Sequence, residues 1–203
     1  MPPKPKFSKE EIVAAALNLV RERGMEGLTA RELGQRLGSS ARPIFTVFSS
    51  MEEVQDAVRD AALTQFESYA KKVPSDIPAF MQLGLQMVLF AKEEPKLYLL
   101  RFLPENPVEG LREDLAARMQ AMANPCKEEL HKQYGFSLES AESLFQHIWI
   151  YIFGVGTLSA IGVYKLTDSQ FLEMLHRDFS SLMHIIQSAK AAFPESRKKE
   201  HDL

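Results

Sequence analysis

A single cysteine, Cys126, stands among 203 residues, which excludes an intrachain disulfide and a thiolate metal cluster and suits a reducing compartment, the cytoplasm. No apolar run reaches the roughly 18 residues of a membrane span, and no apolar segment of signal-peptide type follows the basic start MPPKPK. The expectation is a cytoplasmic chain, neither exported nor membrane-embedded. No stretch alternates with a period of two for long enough to make a strand. Acidic charge is scarce relative to basic charge at the start: residues 1–50 carry eight Lys and Arg against five Glu, leaving a net −6 on the rest of a chain whose total is −3. A basic head on an acidic body points to a polyanion at the N-terminal end, although a charge run also serves as a plain solvated face.

What is present is helix signals throughout, in a composition 45% hydrophobic and 25% charged that is ordinary for a chain with a real core. The fold expected is all-α, with about nine helices. Ser8 with Glu11, Thr29 with Glu32, Ser50 with Glu53 and Thr167 with Gln170 fit the capping-box spacing that marks helix starts. Ile12, Ala15, Ala16, Leu19 and Val20 make one stripe before Gly24, so the first helix is expected over 9–23. A second runs from Thr29 to a stop at Gly38. A third is expected at once, with Ser40 as N-cap and Pro43 in its first turn, where a missing N–H costs nothing. Further helices are expected over 50–73, 77–93, 95–103, 108–134 with a bend before Pro125, 138–163 and 168–192, and the tail 194–203 is expected to fray.

Two short helices joined by a glycine-containing turn describe a helix-turn-helix, which puts its second helix in the DNA major groove; a generic helical hairpin has the same outline. Arg42, at the start of that second helix, carries a fork that bonds guanine O6 and N7. Thr29 and Ser40 sit at helix starts, whose free N–H groups suit phosphate.

The stretch from Phe7 to Val58 resembles the N-terminal domain of TetR-family transcriptional regulators. The likeness rests on AALNLVRERG, on LTARELGQRLG, on an aromatic at Phe45, on Phe48 closing the third helix, and on SSMEE opening the fourth. It implies a DNA-binding domain over 1–52 (helix-turn-helix about 29–48) and a helical ligand-binding and dimerisation domain over 53–193. The family also implies a homodimer on a palindromic double-stranded DNA operator, acting as a repressor released by a small-molecule inducer; no enzyme activity, metal or cofactor is expected. DNA contacts are then expected from Lys4, Lys6, Thr29, Ser40, Ala41, Arg42, Phe45 and Thr46. Two positions depart from the family pattern: Phe45 replaces a phosphate-binding tyrosine and can only pack or touch a thymine methyl, and Met51 replaces a lysine. Those departures favour the alternative, an all-helical small-molecule or lipid carrier that does not read DNA.

The second half carries fewer signals. Met81, Leu85, Phe90, Tyr98, Phe102, Met119, Phe145 and Trp149 are candidates to line a pocket for an apolar or aromatic ligand, or equally to fill the core. Gly154, Gly156, Ser159, Ala160 and Gly162 allow close helix approach, and with Phe171, Leu175, Phe179 and Leu182 they form either a dimer interface or internal packing. Trp149, Phe153 and Gly154 resemble a Trp-x-x-x-His-Gly pattern of some family members, with Phe153 in place of the histidine. GVGTLS lacks the third glycine of a dinucleotide fingerprint and follows a helical pattern. Glu128/His131 and Glu173/His176 have the Glu-x-x-His spacing of di-iron bundles, but Glu173 points away from the face defined by Leu172, Leu175 and Phe179 at about 100° per residue. Cys126 and His131 lie about 140° apart on a helix, too far round for a nucleophile and its base.

Overall fold

The computed structural model describes residues 5–103 and 111–192, and at 111–116, 118, 119, 186, 187 and 189–192 the backbone alone. Among the described residues the chain is all-α, with eight α-helices: α1 (Lys9–Arg23), α2 (Ala30–Arg36), α3 (Met51–Ser68), α4 (Ala79–Glu93), α5 (Pro95–Phe102), α6 (Leu111–Tyr134), α7 (Leu138–Ala160) and α8 (Asp168–Ala192). The ninth expected helix, the third in order, is not an α-helix. No helix among the described residues is long and apolar enough to cross a membrane.

Local chemistry explains the starts. The Glu11 N–H donates to Ser8 Oγ at 3.2 Å while the Ser8 N–H donates to Glu11 Oε2 at 2.8 Å, a reciprocal box that satisfies two orphan donors. Thr167 and Gln170 repeat it before α8, and Thr29 and Ser50 accept from the N–H groups of Glu32 and Glu53. α4 begins after Pro78 with no cap of its own. Its first N–H, on Ala79, instead donates to Glu129 Oε2 of α6 at 2.7 Å, a charge-assisted cap supplied by a neighbouring helix.

α4 is the hub. It packs against α3, α5, α6, α7 and α8, and ten of its fifteen residues, from Phe80 to Ala91, are buried. Phe66 of α3 meets Phe90 edge-on with ring centroids 5.4 Å apart and Phe102 of α5 at 5.3 Å. α5 touches α7 closely: a Cβ on Gly156 would stand 2.6 Å from the Tyr98 hydroxyl oxygen, and that hydroxyl donates to the Phe153 carbonyl at 3.3 Å.

α6 runs unbroken through Pro125. The next residue, Cys126, is buried, and burial pushes its thiol pKa up to about 12. The thiol therefore stays protonated at neutral pH. Alkylating reagents are expected to leave native protein unlabelled over minutes and to label it fully in denaturant; fast native labelling, read by mass spectrometry, would contradict this packing.

Candidate nucleic-acid interface

α2 ends at Arg36, and the chain reverses through Gly38, whose φ of +63° lies where glycine is favoured. The Ser39 N–H then donates back to the Gly34 carbonyl at 2.9 Å. The returning backbone crosses α2 over Gly34, where a Cβ would stand 2.8 Å from the Ser40 carbonyl carbon and 2.9 Å from the Ala41 nitrogen. Gly34 is thus the contact that sets how close the second arm of the motif lies to the first, and the sequence reading missed it.

That second arm corrects an expectation. In place of an α-helix capped by Ser40 there is a turn at Arg42 and Pro43 and a single 3-10 turn, Ile44–Thr46. Bonds spanning three residues run from Ile44 N–H to Ala41 O, Thr46 N–H to Pro43 O and Val47 N–H to Ile44 O, and one spanning four, from Phe48 N–H to Ile44 O, closes the arm. No side chain caps it, and its flanking residue is Pro43. The Thr46 hydroxyl donates to the Pro43 carbonyl at 2.6 Å, a local bond of the kind that competes with α-helix. Ile44 and Phe48, four apart, are buried at 0% and 1% exposure and anchor the arm to the core.

The expected DNA-contact residues fall as follows. Arg42, Phe45 and Thr46 are exposed on the arm, Ser40 is exposed just before it, and Ala41 is half-buried. Lys6 is exposed and donates to Ser39 Oγ at 3.1 Å, so the N-terminal segment lies against the turn. Thr29 is exposed but its hydroxyl oxygen already caps α2. Lys4 lies outside the described residues.

Residues 12–58, which cover most of α1, α2, the 3-10 arm and the start of α3, match the family described as bacterial regulatory proteins, tetR family. The chain carries the N-terminal domain of that family. Tetracycline repressor protein class C of Escherichia coli is 37% identical over 59 residues, which cover 29% of this chain and 27% of that relative. The sequence match therefore spans only about a quarter of the relative's length. In fold the likeness extends much further. A transcriptional regulator from Rhodococcus sp. Rha1 superposes with a TM-score of 0.67 at 16% identity, covering 88% of this chain and 97% of that one. A TetR from Acinetobacter baumannii AYE, solved in complex with minocycline, superposes at 0.51 and 18% identity, covering 91% and 98%. Residues 12–58 are thus a tetR-type domain in sequence, and the whole chain shares the fold of these regulators.

The tetR-type domain is fastened to the remaining helices at the corner between α4 and α5. Arg21 Nε of α1 donates to both Glu94 carboxylate oxygens, at 3.0 and 2.9 Å, and Lys96 donates to the Glu22 carbonyl. Glu22 in turn pairs with Arg36 of α2. Next door, Glu93 accepts from the Tyr69 hydroxyl at 2.9 Å and from Lys72 at 2.5 Å. The Lys72 ammonium holds the Glu93 carboxyl below its usual range, and burial together with Glu93 pushes the Tyr69 hydroxyl up. None of these pairs was legible as a pair in the sequence.

Of the pocket candidates, Phe102 lines a cavity of about 260 Å³ with Leu63, Phe66, Glu67, Leu83, Gln86, Arg101, Ala121 and Met122, between α3, α4, α5 and α6. Met81 lines a separate, more open cleft of about 450 Å³ with Phe80, Tyr134, His176, Phe179 and His184. Leu85, Phe90, Tyr98, Phe145 and Trp149 are buried, and the Met119 side chain lies outside the described residues. Of the interface candidates, Phe171, Leu175, Phe179 and Ser159 are buried within the single chain, Gly156 is closed by Tyr98, Ala160 and Leu182 are half-buried, and Gly162 sits in the α7–α8 connection. Gly154 faces open space. The apolar side chains left in solvent nearby are Ile150 at 70%, Val163 at 65%, Ile185 at 61% and Ile161 at 54% exposure. Ile150 was hidden in the sequence by the unbroken apolar run around it.

Glu128 pairs with Lys132 at 2.9 Å, and His131 Nδ1 lies 2.6 Å from the Phe136 carbonyl. Among the described residues no three His, Cys, Asp or Glu side chains gather around a metal position.

Proposed function

We propose that the protein is a dimeric, operator-binding repressor that releases DNA when a small apolar or aromatic compound occupies the cavity beside α5. The observation that carries this reading is the helix-turn-helix arm. It is held at a close, glycine-defined distance from α2, and it presents Arg42, Phe45 and Thr46 outward from a basic end. Lys6 supplies phosphate attraction beside it, in place of the tyrosine and lysine that the family pattern would have at Phe45 and Met51.

The DNA-binding part is taken as 1–52 and the regulatory part as 53–193. Two copies would meet through Ile150, Gly154 and Ile161 of the α7 side together with Val163, Tyr164 and Ile185. These apolar surfaces are unburied in one chain, and Gly154 leaves room for a partner helix. A two-fold pair reads a palindrome, because its symmetry repeats the same arm on both half-sites.

The 260 Å³ cavity lies between a volume of about 150 Å³ that holds one benzene and the roughly 300 Å³ lower bound of ordinary ligand sites. A compact ligand fits it. Two of its walls, α3 and α5, are also the helices that pack against the DNA-binding domain, so a ligand that favours one α5 position shifts the arms. The test is enrichment of bound duplexes from a randomised pool: an inverted repeat should emerge, with half-sites about one helical turn apart or a multiple of it. Enrichment without symmetry would remove the dimer from the reading, and no enrichment would remove DNA.

Coupling through the α4–α5 corner has its own expected result. The Arg21–Glu94 side chains are 30% and 15% exposed, so the pair sits at the upper end of surface ion pairs, about 1 kcal/mol. Arg21→Ala is expected to lower the melting temperature by roughly 2–4 °C and to separate melting of the DNA-binding domain from that of the rest in calorimetry. A single unshifted transition would show that this corner does not join them.

A further inference from the structure

We propose that Phe45 reads the C5-methyl group of a thymine in the major groove and thereby sets part of the operator sequence. This rests on the DNA-binding reading above and deepens it. Of the large apolar side chains described between residues 5 and 102, Phe45 alone is exposed, at 46%. In the same IFTVF segment Ile44 and Phe48 are buried to within 1%. The arm therefore anchors two of its large apolar side chains in the core and holds the third in water. Covering the exposed part of such a ring is favourable in proportion to the apolar area removed from water, so a partner surface that covers it gains what the fold leaves out.

The surroundings say what that surface is. Arg42 and Lys6 are exposed on the same end of the molecule, and a polyanion answers them. A phenyl ring has no hydrogen to donate to phosphate, and the apolar group that a duplex displays in its major groove is the thymine methyl. Geometry narrows the position. Arg42 and Phe45 stand three residues apart on the same short arm and both are exposed, so a thymine met by Phe45 lies within a few base pairs of the guanine met by Arg42. The Thr46 hydroxyl, bonded to Pro43, stiffens the turn that carries the ring.

The experiment uses full-length protein and the duplexes it enriches from a randomised pool. Each thymine of the enriched site is replaced, one at a time, by uracil, which removes only the methyl. Wild-type protein is expected to bind about fourfold more weakly at one thymine per half-site, the equivalent of one methyl-sized group at about 0.8 kcal/mol. Replacing both symmetric thymines should cost about fifteenfold. Phe45→Ala should bind the thymine and uracil duplexes equally at that position, and Phe45→Leu should keep part of the difference. Ala variants with the wild-type circular dichroism melt are folded, as expected for a half-exposed side chain. Indifference of the wild type to every uracil overturns the proposal. An equal penalty in wild type and Phe45→Ala overturns it too, because another group, such as Ala41 or Pro43, then meets the methyl. Failure to enrich any duplex appears before uracil is used and overturns the DNA reading, and this inference with it.

Discussion

Gly34→Val is expected to abolish specific operator binding, with a loss exceeding a hundredfold, and to destabilise the N-terminal domain. A Cβ at Gly34 already meets the backbone of Ser40 and Ala41 at 2.8–2.9 Å, and backbone cannot swing aside as the tip of a side chain can. The two branches of valine require the arm to move off α2. That motion breaks the bond from Ser39 N–H to Gly34 O and carries Arg42 and Phe45 with it. Overpacking of this kind costs about 1–3 kcal/mol, or roughly 2–12 °C in melting temperature for a chain of this size. Binding should suffer more than stability, since base contacts need placement to about half an ångström. Electrophoretic mobility shift and a thermal melt measure both; a variant that binds like wild type would mean that the arm is not docked as described.

Arg42→Ala is expected to weaken operator binding by about 1–3 kcal/mol per half-site and to relax base preference at one or two positions. The side chain is exposed on the outer side of the arm, beside Phe45, and a bidentate guanidinium distinguishes guanine from the other bases. The control is the same measurement on a scrambled duplex. A loss of equal size on both duplexes would make Arg42 a phosphate contact, with the bases read elsewhere.

Ser8, Thr29, Ser50 and Thr167 were legible as helix starts because a cap needs only residues within four positions of one another, and each accepts the expected N–H. Ends were read less well. α7 stops at Ala160 rather than 163, since Gly162 turns the chain with a φ of +76°, and the apolar run across it masked the stop. The helix expected over 50–73 is α-helical only to Ser68, with a 3-10 turn over Tyr69–Lys72. The recognition arm departed most. Pro43 suits a helix start, but no side chain caps this arm, and the Thr46 hydroxyl bonds the Pro43 carbonyl in competition with an α-helical turn. Residues of the DNA-contact end were legible because Arg42 and Phe45 lie within a motif of fixed spacing. Arg21 with Glu94, 73 positions apart, and the cavity around Phe102 depend on packing between distant helices, which no local pattern carries. Apolar residues at helical spacing look alike whether they face a cavity, a partner or the core, and so Phe171 and Leu175 read as interface candidates although they are buried in one chain.

Salt titration of duplex binding tests the central claim most directly. A regulator that neutralises phosphates through Lys6 and the other cations of its basic end must release counterions. Affinity for the enriched duplex should therefore fall linearly on a log–log plot, with a slope of about −0.9 for each phosphate met. The DNA-binding account predicts tight binding at 50 mM salt, a steep fall by 200 mM, and a shallower slope for Lys6→Ala by about one unit. No binding to any duplex at low salt, in a folded protein that still takes up small apolar compounds, would contradict it and leave a helical carrier.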